Sequence, residues 1–303
     1  MLFTEKNGTR KNFAKDPAVV KFGGRYFLYY SSYYKGVAGK EVLGIGIAAS
    51  EDLDHFEAVS TVPFTQQCEE NGIGAPAAVV LGGKVHLFYQ TYGNGRRDAV
   101  CHAVSADGLH FEKDGGNPVF RPGENWCCGR AIDADVAVIG DKLYLYFATR
   151  DHEMKIQKIG VACAPLSGGF SRGEWKECVS QAVLAPEYSW EEECTEAPAA
   201  LVKDGKVWLF YGGAYNCSPQ QIGLAVSSDG VFFRKTSDKP FLPAGEAGSW
   251  NSSESGHPYV FADDDGRTYL FYQGSSDNGA TWYLSKRELL FDGGVPALAK
   301  EAV

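Results

Sequence analysis

The sequence predicts an all-β fold, a five-bladed β-propeller with four antiparallel strands in each blade, and three observations carry that prediction. First, one layout recurs five times: a polar or acidic residue, a Pro or Ala, a short apolar run, a tight turn and a second apolar-aromatic run. The copies are DPAVVKFGGRYFLYY from Asp16, APAAVVLGGKVHLFY from Ala75, DADVAVIGDKLYLYF from Asp133, TEAPAALVKDGKVWLFY around Glu196, and HPYVFADDDGRTYLFY from His257. Each reads as strand, hairpin, strand. Second, Pro17, Pro76, Ala134, Pro198 and Pro258 stand 59, 58, 64 and 60 residues apart, a period that belongs to repeat architectures. Third, four copies are followed by a further strand, turn and strand: IGIAASEDLDHFE, VCHAVSADGLHFE, IGVACAPLSGGFS and IGLAVSSDGVFFR. A sandwich would not need five near-equal copies, whereas a propeller buries both faces of each small sheet against its neighbours.

In chain order, the Gly-Gly and Asp-Gly pairs set the hairpins of the first, second and fourth units, and the Ser-Asp-Gly turns with Phe111 and Phe233 set the third-to-fourth strand links. The fifth unit ends differently, in TWYLSKRELLF. Residues 1–12 and 289–303 have no blade of their own, so one of these segments is expected to complete a blade's outer edge or to close the ring. The repeat fills nearly all 303 residues, so one domain spanning residues 1–303 is expected.

Composition bounds the function. A hydrophobic content of 44% with 36 glycines supports a large core with many turns, and a net charge of −9 without a long basic run excludes nucleic acid or an anionic membrane as the main partner. The opening MLFTEKNGTRKNF has no apolar core of signal-peptide length, and a cytoplasmic location is expected. The eight cysteines form no CxxC pair and no metal-ligand spacing, which fits free thiols in a reducing compartment.

In a propeller the first strand of each blade lines the central channel, so the five strand starts converge. They read Asp16, Ala75, Asp133, Glu196 and His257. Three carboxylates and a histidine at one place cost stability unless something uses them. Glycoside hydrolysis does: one carboxylate activates water, one gives a proton to the leaving oxygen, and a third anion raises the donor's pKa. The second strands return to the same mouth, which makes Ser31, Tyr92 and Arg150 candidate substrate contacts. Arg130, three residues before Asp133, is another, and for both arginines a surface ion pair is the alternative.

Trp126, Trp190 and Trp250 each precede a copy by six or seven residues. Recurrence with the blade points to wedging between blades, while the flat indole also suits a sugar face, which keeps Trp126 as a candidate substrate contact. Glu191, Glu192 and Glu193 read as a solvated loop, Glu254 as a further acid near His257, and the DDDG run at Asp263 as turn chemistry rather than a calcium loop.

The motifs KDP at Asp16, AIDAD at Asp133 and TEAP at Glu196 together resemble glycoside hydrolase family 43, five-bladed propeller enzymes acting on arabinofuranosides and xylosides. The resemblance spans the chain. It implies Asp16 as general base, Asp133 as the residue that tunes the acid's pKa and holds the sugar, and Glu196 as general acid in an inverting mechanism. It further implies an oligosaccharide substrate, an α-L-arabinofuranosidase or β-xylosidase activity, no required cofactor, and His257 at the channel, where some members hold a structural calcium. Two departures stand out: Ala134 replaces the usual Pro, and Asp135 is a second acid in the same motif. A propeller phosphorylase, a fructan-type hydrolase and a non-catalytic sugar-binding propeller are the alternatives; NDPNG and RDP motifs of the fructan enzymes are absent.

Overall fold

The computed structural model describes residues 1–6, 11–36 and 38–300, with Asp292 described by its backbone. Twenty strands form five four-stranded antiparallel sheets, each in simple sequence order. Blade one holds β1 Lys15–Phe22, β2 Arg25–Lys35, β3 Glu41–Ser50 and β4 Glu57–Val62; blade two holds β5 Ile73–Leu81, β6 Lys84–Thr91, β7 Val100–Ser105 and β8 Phe111–Lys113. Blade three holds β9 Ile132–Ile139, β10 Lys142–Arg150, β11 Gln157–Pro165 and β12 Lys176–Glu177. Blade four holds β13 Thr195–Lys203, β14 Lys206–Gly213, β15 Gln221–Ser227 and β16 Arg234–Lys235. Blade five holds β17 Glu254–Ala262, β18 Thr268–Ser275, β19 Tyr283–Asp292 and β20 Val295–Leu298. This is the five-bladed β-propeller that the repeats predict.

The hairpins follow from their turn residues. Gly23 and Gly24 take φ of 59° and 82°, and Asp204 and Gly205 take 52° and 71°, the left-handed pair that a two-residue hairpin needs. After the third strand of blades one, two and four, Ser50, Ser105 and Ser227 each donate a hydroxyl to the Asp two residues on, and Ser275 does the same after the second strand of blade five, which fixes the Ser-x-Asp turn. Blades pack through aromatic and aliphatic faces, and buried tyrosines tie neighbours together: the Tyr29 hydroxyl donates to Gly108 O of blade two at 3.0 Å, and Tyr146 to Gly230 O of blade four at 2.9 Å.

The two terminal segments share one task. Val295–Leu298 pairs with the far half of β19, and its near half receives the chain start, with Leu2 N–H donating to Leu284 O and Leu284 N–H to Phe3 O, both at 2.8 Å. Trp282 and Asn12 add a further bond at 3.0 Å. The C-terminal segment therefore completes the outer edge of blade five and the N-terminal segment joins blade five to blade one; residues 7–10 and 301–303 of those segments lie outside the described residues.

One local feature repeats in all five blades and positions the site. The first strand carries a register shift at its start, between Lys15 and Ala18, Gly74 and Ala77, and the equivalent places in the other blades. At each shift one non-glycine residue is left-handed: Asp16 (φ 53°), Ala75 (43°), Asp133 (48°), Ala197 (47°) and His257 (46°). A bulge of this kind re-aims a side chain. Here it turns the strand's opening residue into the channel mouth, at the cost of a conformation L-residues avoid.

Candidate active site

In four of the five blades the backbone N–H freed by the bulge is capped by a side chain from a neighbouring blade. Asp16 N–H donates to Gln273 Oε1 at 3.1 Å, Ala75 N–H to Ser31 Oγ at 2.8 Å, Asp133 N–H to Gln90 Oε1 at 2.6 Å and His257 N–H to Gln220 Oε1 at 3.0 Å. Four of the strained starts are thus tied to a neighbouring blade, in a run that leads from blade four through blades five, one and two to blade three.

The five strand starts surround a pit of about 270 Å³ lined by Asp16, Asp133, Glu196 and His257, with Lys15, Tyr33, Tyr92, Arg130, Arg150 and Asn216 among its walls. The three carboxylates are each less than a tenth exposed. His257 Nε2 lies 3.4 Å from both Asp16 Oδ1 and Asp133 Oδ1, bridging them.

The electrostatics separate the carboxylates. Burial works against the Asp16 anion, yet the His257 cation, Lys15 and hydrogen bonds from Ser31 and the Ala75 backbone together keep its pKa below the ordinary 3.8. For Glu196, burial and then the Asp133 charge push the pKa up from 4.5 to about 7, against the pull of His257, Gln220 and Lys15. For His257 burial favours the neutral form, but Asp16 and Asp133 outweigh it and raise the pKa to about 9. The pit therefore holds, near neutral pH, one ionised carboxylate and one that gives and takes a proton, the division that acid–base chemistry on a glycosidic bond requires.

Of the expected residues, Asp16, Asp133, Glu196, His257, Tyr92, Arg130 and Arg150 meet at this pit. Within AIDAD it is Asp133 that faces it. Asp135 instead turns toward blade four, accepts from Ala200 N–H at 2.7 Å, and is pushed by burial to a pKa of about 7. Ser31 lies fully buried behind Asp16, where its hydroxyl serves Asp16 and the Ala75 backbone rather than a substrate. Arg150 forms no surface ion pair among the described residues; its Nε donates to Gln157 Oε1 at 2.6 Å and its guanidinium lies 5.1 Å over the Tyr215 ring.

Trp126 is placed away from the pit. Its indole N–H donates to Glu177 at 2.7 Å and its ring packs against Gly160 and Phe147, just as Trp190 packs on Gly213 and Trp250 on Gly274. Each indole fills the space left by a strand glycine of the blade it precedes, a packing role, and Trp126 is not among the residues that line the pit. Glu191 is likewise no solvated loop residue: it is fully buried and paired with Lys235, while Glu193 on the same loop is exposed and paired with Lys155.

Sequence reasoning missed Lys15, Asn216 and the glutamines. Lys15 lies 4.4 Å over the Trp282 ring, and Asn216, with its amide oriented to serve both neighbours, accepts from Lys15 at 3.2 Å and donates to Glu254 at 3.1 Å. The acids Asp16, Glu254, Glu196 and Asp133 raise the Lys15 pKa despite its burial. Glu254 is fully buried, and its pKa is raised by burial while it accepts from Gln273 at 2.6 Å and Cys217 N–H at 2.7 Å.

The donor set at His257 does not fit calcium, which takes six to eight oxygens. The amide oxygens of Gln90, Gln220 and Gln273 are spent on backbone N–H groups, and among the described residues no group of three or more His, Cys, Asp or Glu side chains converges as a metal centre would. Asp263 in the DDDG turn is paired with Lys21 and Tyr26. All eight cysteines are free thiols, and none lines the pit.

The family model described as glycosyl hydrolases family 43 matches residues 6–292. The chain belongs to that family. Among family 43 structures, a thermostable family-43 glycoside hydrolase superposes with a TM-score of 0.77 at 21% identity, covering 95% of this chain and 93% of that one. An α-L-arabinofuranosidase from Lactobacillus brevis gives 0.74 at 17% identity, covering 95% and 94%. In sequence the chain is similar to a β-xylosidase of Xylanibacter ruminicola, 31% identical over 100 residues, which is 33% of this chain and 27% of that protein. The chain spans less than two thirds of the length of the curated relatives it matches.

Proposed function

We propose that this family 43 chain acts as a single catalytic domain that hydrolyses a glycosidic bond at the non-reducing end of a short oligosaccharide, with inversion. The observation that carries the reading is the opposed tuning of two carboxylates in one pit, Asp16 kept anionic and Glu196 kept protonated up to about pH 7. In the reaction, Asp16 as general base takes a proton from water attacking the anomeric carbon, and Glu196 as general acid gives its proton to the leaving oxygen. Asp133 keeps Glu196 protonated by its charge and, through His257, shares a cation with Asp16. The pit is smaller than the roughly 300–1,000 Å³ of a drug-sized cleft, which suits one sugar residue and exo action.

The sugar is an α-L-arabinofuranosyl or β-D-xylosyl unit, a choice supported by the activities named for the similar proteins. Phosphorolysis would need a free cation cluster beside the base, but Arg150 is engaged by Gln157, Lys15 by Asn216, and Arg130 by the buried Asp98, whose carboxylate lies 3.5 Å from its guanidinium. The test is turnover of aryl α-L-arabinofuranosides and β-D-xylosides with and without phosphate, following the anomer released by NMR. Hydrolysis with inversion, lost in Asp16→Asn and Glu196→Gln, supports the reading. Retention of configuration, phosphate-dependent turnover, or full activity in either variant overturns it.

A further inference from the structure

Glu196 is approached by two neutral amides from opposite sides, and each has its polarity set by a third group. Gln157 donates through Nε2 to Glu196 Oε2, while its Oε1 accepts from Arg150 Nε at 2.6 Å. Gln220 donates through Nε2 to Glu196 Oε1 at 2.5 Å and to Ala214 O at 3.1 Å, while its Oε1 accepts the His257 N–H. Turning either amide over would set a carbonyl against the carboxyl and donors against donors. Both carboxyl oxygens therefore face N–H groups whose direction is fixed.

The fold makes room for this arrangement. Where blades one, two and five place Ser31, Gln90 and Gln273 on the second strand, blades three and four have Ala148 and Gly212. The amide comes instead from the head of the third strand, in the matching pieces QKIG from Gln157 and QQIG from Gln220. A Cβ at Gly212 would stand 2.9 Å from Gln220 Cδ, and one at Gly256 would stand 2.8 Å from it, so two glycines enclose the Gln220 amide.

We propose that Gln157 and Gln220 are positioning residues for the proton donor: they aim the Glu196 carboxyl and govern the pH at which it loses its proton. The inference rests on the reading of Glu196 as the general acid. The charged groups that face Glu196 are Asp133 of β9, His257 of β17, Lys15 and Asp16 of β1 and Arg150 of β10, with Cys194 and Tyr215 beside it. A cation within hydrogen-bond reach would pin the carboxyl as an anion, whereas two neutral donors orient it and still allow it to carry a proton.

The test uses Gln157→Met and Gln220→Met in the full chain, assayed on phenyl and 4-nitrophenyl α-L-arabinofuranosides and β-D-xylosides from pH 4 to 10. Losing a donor to the anion is expected to move the alkaline limb of kcat/KM up by about one pH unit. The phenyl glycoside, whose leaving group needs the proton, should fall about tenfold, and the 4-nitrophenyl glycoside much less. Arg150→Met should act in the same direction, since it frees the Gln157 amide to turn, and the double variant with Gln157→Met should be no worse than Gln157→Met alone. An unmoved limb with equal losses on both leaving groups would make the glutamines merely structural and overturn the inference while leaving the acid assignment intact. If Gln220→Met does not fold, Gln157→Met decides. Undiminished turnover of the phenyl glycoside by Glu196→Gln would overturn both readings.

Discussion

Glu191 and Glu196 are five residues apart, both buried, and opposite in what surrounds them. Glu191 receives Lys235 Nζ at 2.6 and 2.7 Å, the Tyr211 hydroxyl at 2.6 Å, and the backbone N–H groups of Glu187 and Tyr188. Blade two repeats the arrangement with Glu69, Lys113 and Tyr89. Among the described residues Glu196 has no cation within hydrogen-bond reach; it meets the two glutamine amides and the Cys194 thiol, with a like charge from Asp133 nearby. A buried carboxylate with a matched cation is part of the scaffold; one left without its match is available for proton transfer.

The largest effects come from removing each acid in turn. Glu196→Gln and Asp16→Asn should each lower kcat/KM on phenyl glycosides by about a thousandfold or more while leaving the urea denaturation midpoint near that of the wild type at acidic pH, where Glu196 carries its proton folded and unfolded. Glu191→Gln and Lys235→Met should do the reverse, with a loss of about 3–5 kcal/mol in stability, because one charge of a buried pair is left uncompensated, and with unchanged activity per folded molecule. An inactive but stable Lys235→Met protein would break the comparison.

The pH dependence sharpens it. Asp16, with a pKa below 3.8, places the acid limb of kcat/KM below the ordinary carboxylate range, and Glu196 places the alkaline limb near pH 7. Stability carries the matching sign. A carboxyl whose folded pKa is raised from 4.5 to about 7 holds its proton more tightly folded than unfolded, so folding is progressively disfavoured as pH rises through that window. The span corresponds to about 3 kcal/mol. Urea titrations from pH 4 to 8 should show this slope in the wild type and a shallower one in Glu196→Gln; equal slopes would mean the strain is not at Glu196.

The same contrast explains what could be read in the sequence. The propeller was legible because the repeat of strand, turn and strand is local and periodic. Asp16, Asp133 and Glu196 were legible because equivalent repeat positions must converge at one mouth. Trp126 and Glu191 were not, since whether an indole faces a sugar or a strand glycine, or whether an acid in an EEE run faces water or Lys235, depends on partners tens of residues away. The glutamines had left a signal: QKIG and QQIG occur only in the two blades whose second strand has Ala148 or Gly212 at the capping position. A repeat read for its differences shows which blades do something extra.

Glu193 supplies the smallest effect and the third case of the comparison. It lies two residues from Glu191 and pairs with Lys155 at 2.9 Å, but both side chains are about half exposed or more, at 49% and 66%. Water solvates either charge when the other is lost, so no uncompensated charge is buried. Glu193→Gln should therefore give a denaturation midpoint indistinguishable from the wild type and unchanged kcat/KM on either leaving group. The backbone carbonyl of Glu193, which accepts the Gln157 N–H at 2.8 Å, is untouched by the substitution. A measurable shift of the alkaline limb in Glu193→Gln would mean that surface charge reaches Glu196 through this strand, and that the protonation of the acid is set by more than the groups lining the pit.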